Sequence, residues 1–314
     1  INRGLNAFIQ TNNTDAQEEH IGNTNPHLEM TSTGFSITAD GVTQGNNTNG
    51  NLYIYAAFAM NPTLNTTLAN SFKTVTYTGT GSATSITSLG FKPDLIWIKD
   101  RGRTREHIWS DSVRGANREI SSNTSDAEEK DRGVSTFDTD GFSFLDGNTN
   151  YNDSGESYVA WCWKAGNNYV SNIDGSIPSI VNANTANGFS IIKFTTPTTN
   201  NFSVGHGLGA APDLVIYKAL SQTSNWTVYN SISGAEKYLL LDGAGALQDD
   251  SLPFNDTEPT SSVLNLGSAT VWWATNAEYI AYAWKSTSGY SKIGTYTGNG
   301  STQNITGLGF KPDM

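Results

Sequence analysis

The sequence predicts an all-β protein built from tandem antiparallel β-sandwich repeats, jelly-roll-like, of about 95–100 residues each. Three observations carry this reading. An 18-residue block recurs: Tyr77–Asp94 (YTGTGSATSITSLGFKPD) and Tyr296–Asp313 (YTGNGSTQNITGLGFKPD) agree at 13 of 18 positions without a gap. Apolar runs alternate with period two, so that Tyr158, Ala160 and Cys162 share one strand face and Val159, Trp161 and Trp163 the other. Clusters of Gly, Asn, Asp and Thr punctuate the chain every 8–12 residues or so, the spacing of short strands in a sandwich or barrel.

Taken in order, residues 1–62 read as the C-terminal half of a repeat. Asn2-Arg3-Gly4-Leu5-Asn6 matches Val113-Arg114-Gly115-Ala116-Asn117, and Tyr53–Phe58 takes the place of a closing strand. A polar joint at 63–72 precedes a complete repeat at 73–166, with the β-rich run Leu95–Lys99 after its Pro-Asp and the closing strand Tyr158–Trp163. A second joint, 167–187, has room for a strand at Tyr169–Ile173 or Ser179–Val181. The next complete repeat, 188–286, carries the degenerate opening block Phe194–Asp213, the run Leu214–Lys218 and the closing strand Tyr279–Trp284. Residues 287–314 are the opening strands of a further repeat. A closing strand apolar on both faces should lie centrally, one face in a core and the other under a loop or neighbouring domain. Thr124–Arg132 is balanced between a short charged helix and a solvated loop, and the repeats are expected to follow one another as beads. A chain that starts and stops inside a packing unit is expected to be part of a longer protein. On that view, polypeptide outside it completes both ends; the rival expectation is that the C-terminal segment adds as a strand to another chain.

Composition narrows the function. Of 314 residues 18 are basic and 29 acidic, a net charge of −11, with no Lys/Arg cluster of the kind that phosphate binding requires; nucleic acid and anionic lipid are poor partners. The longest apolar runs, Leu52–Met60 and Tyr158–Trp163, are far short of the roughly 18 residues of a membrane span. The single cysteine, Cys162, forms no intrachain disulfide and sits where the sister repeat has Ala283, as a small buried residue would.

No catalytic set emerges. His20, His27, His107 and His206 occupy unrelated places in different repeats, and no cofactor motif is present: Gly205–Gly209 precedes a strand instead of opening a helix. Asp146, Asn148 and Asn150 alternate oxygen side chains as a calcium loop does, but lack the glycine and glutamate of an EF-hand, so a hairpin tip is the favoured reading. The ten Asn-x-Ser/Thr sequons, Asn12, Asn65, Asn123 and Asn225 among them, follow from an Asn/Thr-rich composition. Trp109, Trp226, Trp272 and Trp273 lie outside the closing strands and are the candidates for stacking on a sugar, although for any one of them filling a sandwich or a seam between domains is the favoured reading.

The series YTGNGS, I-T-G-L-G-F-K-P-D, L-I-W-I-K-D-R, D-S-V-R-G-A, F-D-T-D-G-F and Y-V-A-W-C-W-K-A-G resembles a tandem domain of unknown function found in tail-fibre-like virion proteins of tailed phages that infect marine bacteria such as cyanobacteria. The resemblance covers 73–166 well and 188–286 with drift, departing at Ala210-Ala211 and Ala219-Leu220. It implies a non-enzymatic virion structural or adhesive protein on the particle surface, a tail fibre or appendage. Such a protein would be homo-oligomeric, joined to other virion subunits, and bind host-surface glycan or protein. It supplies no catalytic or cofactor-binding residues. The competing expectations are a tail-associated polysaccharide depolymerase, which needs two carboxylates roughly 5–10 Å apart across a groove, and an adhesin or filament subunit on a bacterial cell surface.

Overall fold

The computed structural model describes residues 14–15, 28–37, 47–62 and 66–314, with the backbone of two short strands, Ala7–Phe8 and Glu18–Glu19. The protein is all-β, and every pairing between its described strands is antiparallel. Its sole described helical element is a single 3₁₀ turn, Thr66–Leu68.

Each unit is organised around its closing strand. In the first, Ser157–Trp163 lies between the opening strand Phe72–Thr78 and Leu95–Asp100. The sheet continues outward through Ile108–Asp111, Arg118–Ser121 and Glu129–Lys130. A three-stranded sheet, Thr136–Asp138, Gly141–Asp146 and Ser82–Ile86, covers one face. The second unit repeats the scheme. Glu278–Trp284 lies between Phe189–Thr195 and Leu214–Ala219, and the sheet continues through Thr227–Asn230, Lys237–Leu240 and Gln248–Asp249. Phe202–Gly205 and Val263–Leu266 cover its face. The stretch expected as the joint 167–187 carries two strands, Val170–Asn172 and Ser179–Asn184, which extend this sheet beyond its opening strand.

The two terminal parts form the third unit together. Leu52–Phe58 pairs with Ser291–Thr297, and Gln303–Ile305 pairs with Gly34–Ile37, which pairs with Leu28–Thr31. Thus the opening strand near the C-terminus finds its closing strand near the N-terminus of the same chain. The expectation that the C-terminal segment adds as a strand to another chain is corrected here: it pairs with Leu52–Phe58 of its own chain. The register explains the choice. Tyr53 opposes Tyr296 as Tyr158 opposes Tyr77 and Tyr279 opposes Phe194. All three cross-strand pairs stack, at 5.0, 5.2 and 5.8 Å between ring centroids. The YTG glycines fit equally well: a Cβ on Gly79 or on Gly298 would lie 2.2 Å from the carbonyl oxygen of Asp153 or Thr48, respectively.

The units are not beads. One face of each complete closing strand fills its own sandwich: Tyr158, Ala160 and Cys162 pack with Ile86, Phe142 and Phe144, and Tyr279, Ala281 and Ala283 with Phe202, Leu264 and Trp273. The other face enters a cluster shared by all three units, which joins Phe58, Tyr290 and Ile293 to Val159, Trp161 and Trp163 and to Ile280, Tyr282 and Trp284. Phe58, Trp163 and Trp284 end equivalent strands and touch one another at 5.6, 6.1 and 6.4 Å, marking a pseudo-threefold axis. Linear beads are overturned because strands apolar on both faces leave a second face that only the other units can cover.

Thr124–Arg132 forms no helix. It runs through an irregular segment into Glu129–Lys130, whose pairing with Arg118 and Glu119 places its charges on an exposed sheet edge.

Candidate functional site at the interface between units

The Pro-Asp punctuator is the clasp of each unit. The amide of Asp94, Asp213 or Asp313 donates to the carbonyl of Trp163, Trp284 or Phe58, at 2.8 Å in every case. The carboxylate then accepts the amide two residues beyond that aromatic: Ala165 at 2.8 Å, Ser286 at 2.7 Å and Met60 at 2.8 Å. Asp94 also accepts the hydroxyl of Ser112 and the amide of Asn182, so the clasp of the first unit binds a strand of the second. Burial raises its carboxyl above the usual range, opposed by these hydrogen bonds.

Beyond the clasp, the strands Leu95–Asp100 and Leu214–Ala219 each carry a fully buried lysine at the fifth position. Lys99 Nζ donates to the carbonyls of Asp100 at 2.9 Å and of Arg103 and Thr14 at 3.2 Å. Lys218 Nζ donates to Ala219 at 3.1 Å and Ser125 at 3.2 Å. The carbonyls of Thr14 and Ser125 also accept the amides of Arg105 and Ser224, respectively, both at 2.8 Å. The contacts to Thr14 and Ser125 join each unit to a loop of the unit before it, whereas those to Asp100, Arg103 and Ala219 stay within the unit. Burial pushes both ammonium groups down to about 8.

The seam between the first two units also buries an ion pair. Arg114 Nε bonds the Asp111 carboxylate, Nη2 donates to the Trp109 carbonyl at 2.9 Å, and Nη1 lies 3.3 Å from Glu128. Tyr282, from the second unit, donates its hydroxyl to Asp111 at 2.7 Å. Burial alone would lower the guanidinium's pKa, but Asp111, Tyr282 and Glu128 together raise it, so Arg114 stays charged.

These contacts decide the fate of the tryptophan candidates. Trp109, Trp226 and Trp273 are fully buried and offer no face to a ligand, which corrects the sugar-stacking expectation for them. Trp109 packs 5.2 Å from Trp226 and 4.9 Å from Tyr282, and Trp226 Nε1 crosses the seam to the carbonyls of Ser121 and Thr124 at 3.0 and 3.1 Å. Trp273 sits in the second sandwich with Nε1 on the Pro253 carbonyl at 2.8 Å. Trp272 is half-buried, edge-on to Tyr238 at 4.6 Å. A lone aromatic in polar sequence reads as exposed; for Trp109 and Trp226 the covering surface is supplied by another unit.

Asp146 ends the strand Gly141–Asp146, and Asn148 and Asn150 follow it. Asp146 accepts the amide of Asn148 at 3.2 Å and the hydroxyl of Tyr151 at 3.1 Å, and Asn148 accepts the amide of Asn150 at 2.9 Å, so two of the three oxygens shape the turn. Among the described residues no three His, Cys, Asp or Glu side chains gather to hold a metal ion.

Cys162 is buried in its sandwich, and burial pushes its thiol up. His206 is buried with Nδ1 accepting the amide of Leu208 at 3.1 Å and Nε2 3.2 Å from the Thr260 carbonyl, while His107 is buried beside Trp97. His20, His27, Asn12 and Asn65 lie outside the described residues. Glu119 is a further perturbed carboxyl: buried opposite Glu129, it is raised to about 7, first by desolvation and then by that neighbour's charge.

No curated protein and no solved structure matches this chain. A family model, described as a domain of unknown function (DUF7483), matches residues 68–314, from the turn before the first opening strand through the last Pro-Asp clasp. The chain therefore belongs to the DUF7483 family.

Proposed function

We propose that this protein is a non-enzymatic structural and adhesive element of a phage particle, a tail fibre or appendage exposed on the virion and assembled with other virion subunits. The observation that supports the reading is where the chain spends its polar side chains. The repeated motifs serve clasps and seams that lock three sandwiches around one aromatic cluster, which suits a stiff spacer bearing variable outer loops. Host-surface glycan or protein would be met by those loops, with Trp272 the remaining candidate aromatic. The depolymerase reading would want an accessible acid, whereas Glu119, with its raised titration, is shielded from solvent.

The experiment is immunogold electron microscopy of purified particles with antibody against this chain, paired with binding of the labelled chain to host cells. Gold on tails or appendages with saturable cell binding is expected. Label confined to bacterial cell surfaces would favour the adhesin, and shortening of polysaccharide by the purified chain would favour the depolymerase.

A further inference from the structure

We propose that the strand Val170–Asn172 is a dimerisation edge: two copies of this chain pair through it, antiparallel about a two-fold axis at Ser171, and their large sheets become continuous.

The strand belongs to an extension that, among the described residues, only the second unit carries. In the first unit the sheet ends at its opening strand, Phe72–Thr78. In the second it continues past Phe189–Thr195 through Ser179–Asn184 to Val170–Asn172, whose outer edge meets no strand among the described residues. Sheet edges are ordinarily guarded by charge. The opposite ends of the two large sheets obey, since Glu129–Lys130 and Gln248–Asp249 are exposed and carry charge. The edge at Val170 does not. No charged residue stands between Lys164 and Asp174, and Tyr169, Val170 and Ile173 are 63%, 56% and 81% exposed. Alternation puts Tyr169, Ser171 and Ile173 on one face, where exposed Ile180, opposite Ser171, widens the apolar strip.

The strand is also held ready. Asn172 Nδ2 donates to the Asp174 carboxylate at 3.0 Å, and the Asp174 amide donates to Asn172 Oδ1 at 2.9 Å. The turn that follows is tied to the strand Phe202–Gly205, where the Ser203 amide donates to the Ser176 hydroxyl at 2.8 Å. An edge fixed in this way loses little conformational freedom on pairing.

The occupant is a second copy because the segment is complementary to itself. Tyr169 and Ile173 are equidistant from Ser171, so the two-fold sets each Tyr169 opposite the partner's Ile173, an aromatic and β-branched pair of the kind favoured across strands. One step further, Asp174 falls opposite the partner's Asn168, an amide, and not opposite another carboxylate. In a chain of net charge −11, this uncharged strip is where a second copy meets least repulsion. A short ladder flanked by Tyr169, Val170, Ile173 and Ile180 is a small interface, so the dimer is weak. The pairing rests on this chain alone and is independent of the proposed virion role.

Sedimentation velocity of the full chain tests it. A reversible monomer–dimer equilibrium is expected between about 1 and 100 μM. Ile173→Glu sets a carboxylate against the partner's Tyr169 and should weaken dimerisation about tenfold. Adding Tyr169→Lys should restore it, because each lysine then faces a glutamate across the two-fold. In a Cys162→Ala background, Ser171→Cys should crosslink two copies on mild oxidation, because residues opposite one another lie about 4.5–5.5 Å apart in either kind of antiparallel pair. Exposed Ser154→Cys, away from the edge, should crosslink far more slowly. A chain that stays monomeric over that range would overturn the proposal. So would a dimer that Ile173→Glu leaves intact, a lysine that restores nothing, or equal crosslinking by the two cysteine variants.

Discussion

Replacing Tyr282 by phenylalanine removes one oxygen atom from the seam between the first two units and leaves the ring 4.9 Å from Trp109. The lost hydroxyl donates at 2.7 Å to Asp111, a carboxylate 171 residues earlier, which is fully buried and already neutralised by Arg114. A hydrogen bond to a charged acceptor contributes about 1.5–3 kcal/mol. No cavity larger than the hydroxyl opens, so the whole loss should lie in that range. Urea unfolding followed by tryptophan fluorescence would read it as a lower midpoint at unchanged slope. A double-mutant cycle with Asp111→Asn separates the bond from other effects: both residues belong to one network, so a coupling of about 1 kcal/mol or more is expected. A Tyr282→Phe loss below about 0.5 kcal/mol, or additive effects in the cycle, would refute the view that this bond holds the units together.

Trp163→Ala and Trp284→Ala should each cost about 3–5 kcal/mol, and Trp226→Ala should join them because its ring is buried in the same cluster; thermal or urea melts check this, with half-buried Trp272→Ala giving the smaller loss. Arg114→Met should cost about 3–5 kcal/mol by leaving Asp111 and Glu128 without their cation, read in the same melts. Glu119 has a folded pKa raised to about 7 from 4.5, so the folded state holds its proton more tightly and stability is lost as pH rises from about 4.5 to 7, by roughly 3 kcal/mol; Glu119→Gln should remove that slope from unfolding measured across the window. Lys99 and Lys218 carry the opposite sign: their folded values near 8 lie below 10.5, so the unfolded chain binds more protons between pH 8 and 10 and stability rises there, a rise that Lys99→Met and Lys218→Met should each reduce.

The strands were legible because their signal is local. Period two in Tyr158–Trp163, the duplicated Tyr77–Asp94 block and the two-faced apolar pattern each follow from a few adjacent residues, and the structure uses both faces as the alternation implies. The seam was less legible because its signal is relational. Asp111 and Arg114 stood inside a recognised repeated motif, and Lys99 and Lys218 at one repeat position, yet nothing in either segment shows that Tyr282 or Ser125 lies opposite. For the same reason Trp109 and Trp226 read from sequence as either a sugar platform or a seam filling, and the structure places both in the seam. Trp226 lies between Asn225 and Thr227 and Trp109 runs into Ser110-Asp111, and the surfaces that complete their burial come from another unit. A lysine in an otherwise apolar strand was the available clue, since it must find carbonyls once the strand is central.

The pairing of Leu52–Phe58 with Ser291–Thr297 is the contact on which the closed arrangement of three units rests. Ile54 and Thr295 oppose each other there at a non-hydrogen-bonded pair, where Cα atoms lie about 4.5 Å apart, within disulfide reach. The chain carrying Ile54→Cys, Thr295→Cys and Cys162→Ala should, on mild oxidation, form an intramolecular disulfide that speeds the monomer's migration on a non-reducing gel. Free thiols after oxidation, or disulfide-linked dimers in place of the fast monomer, would contradict the closure.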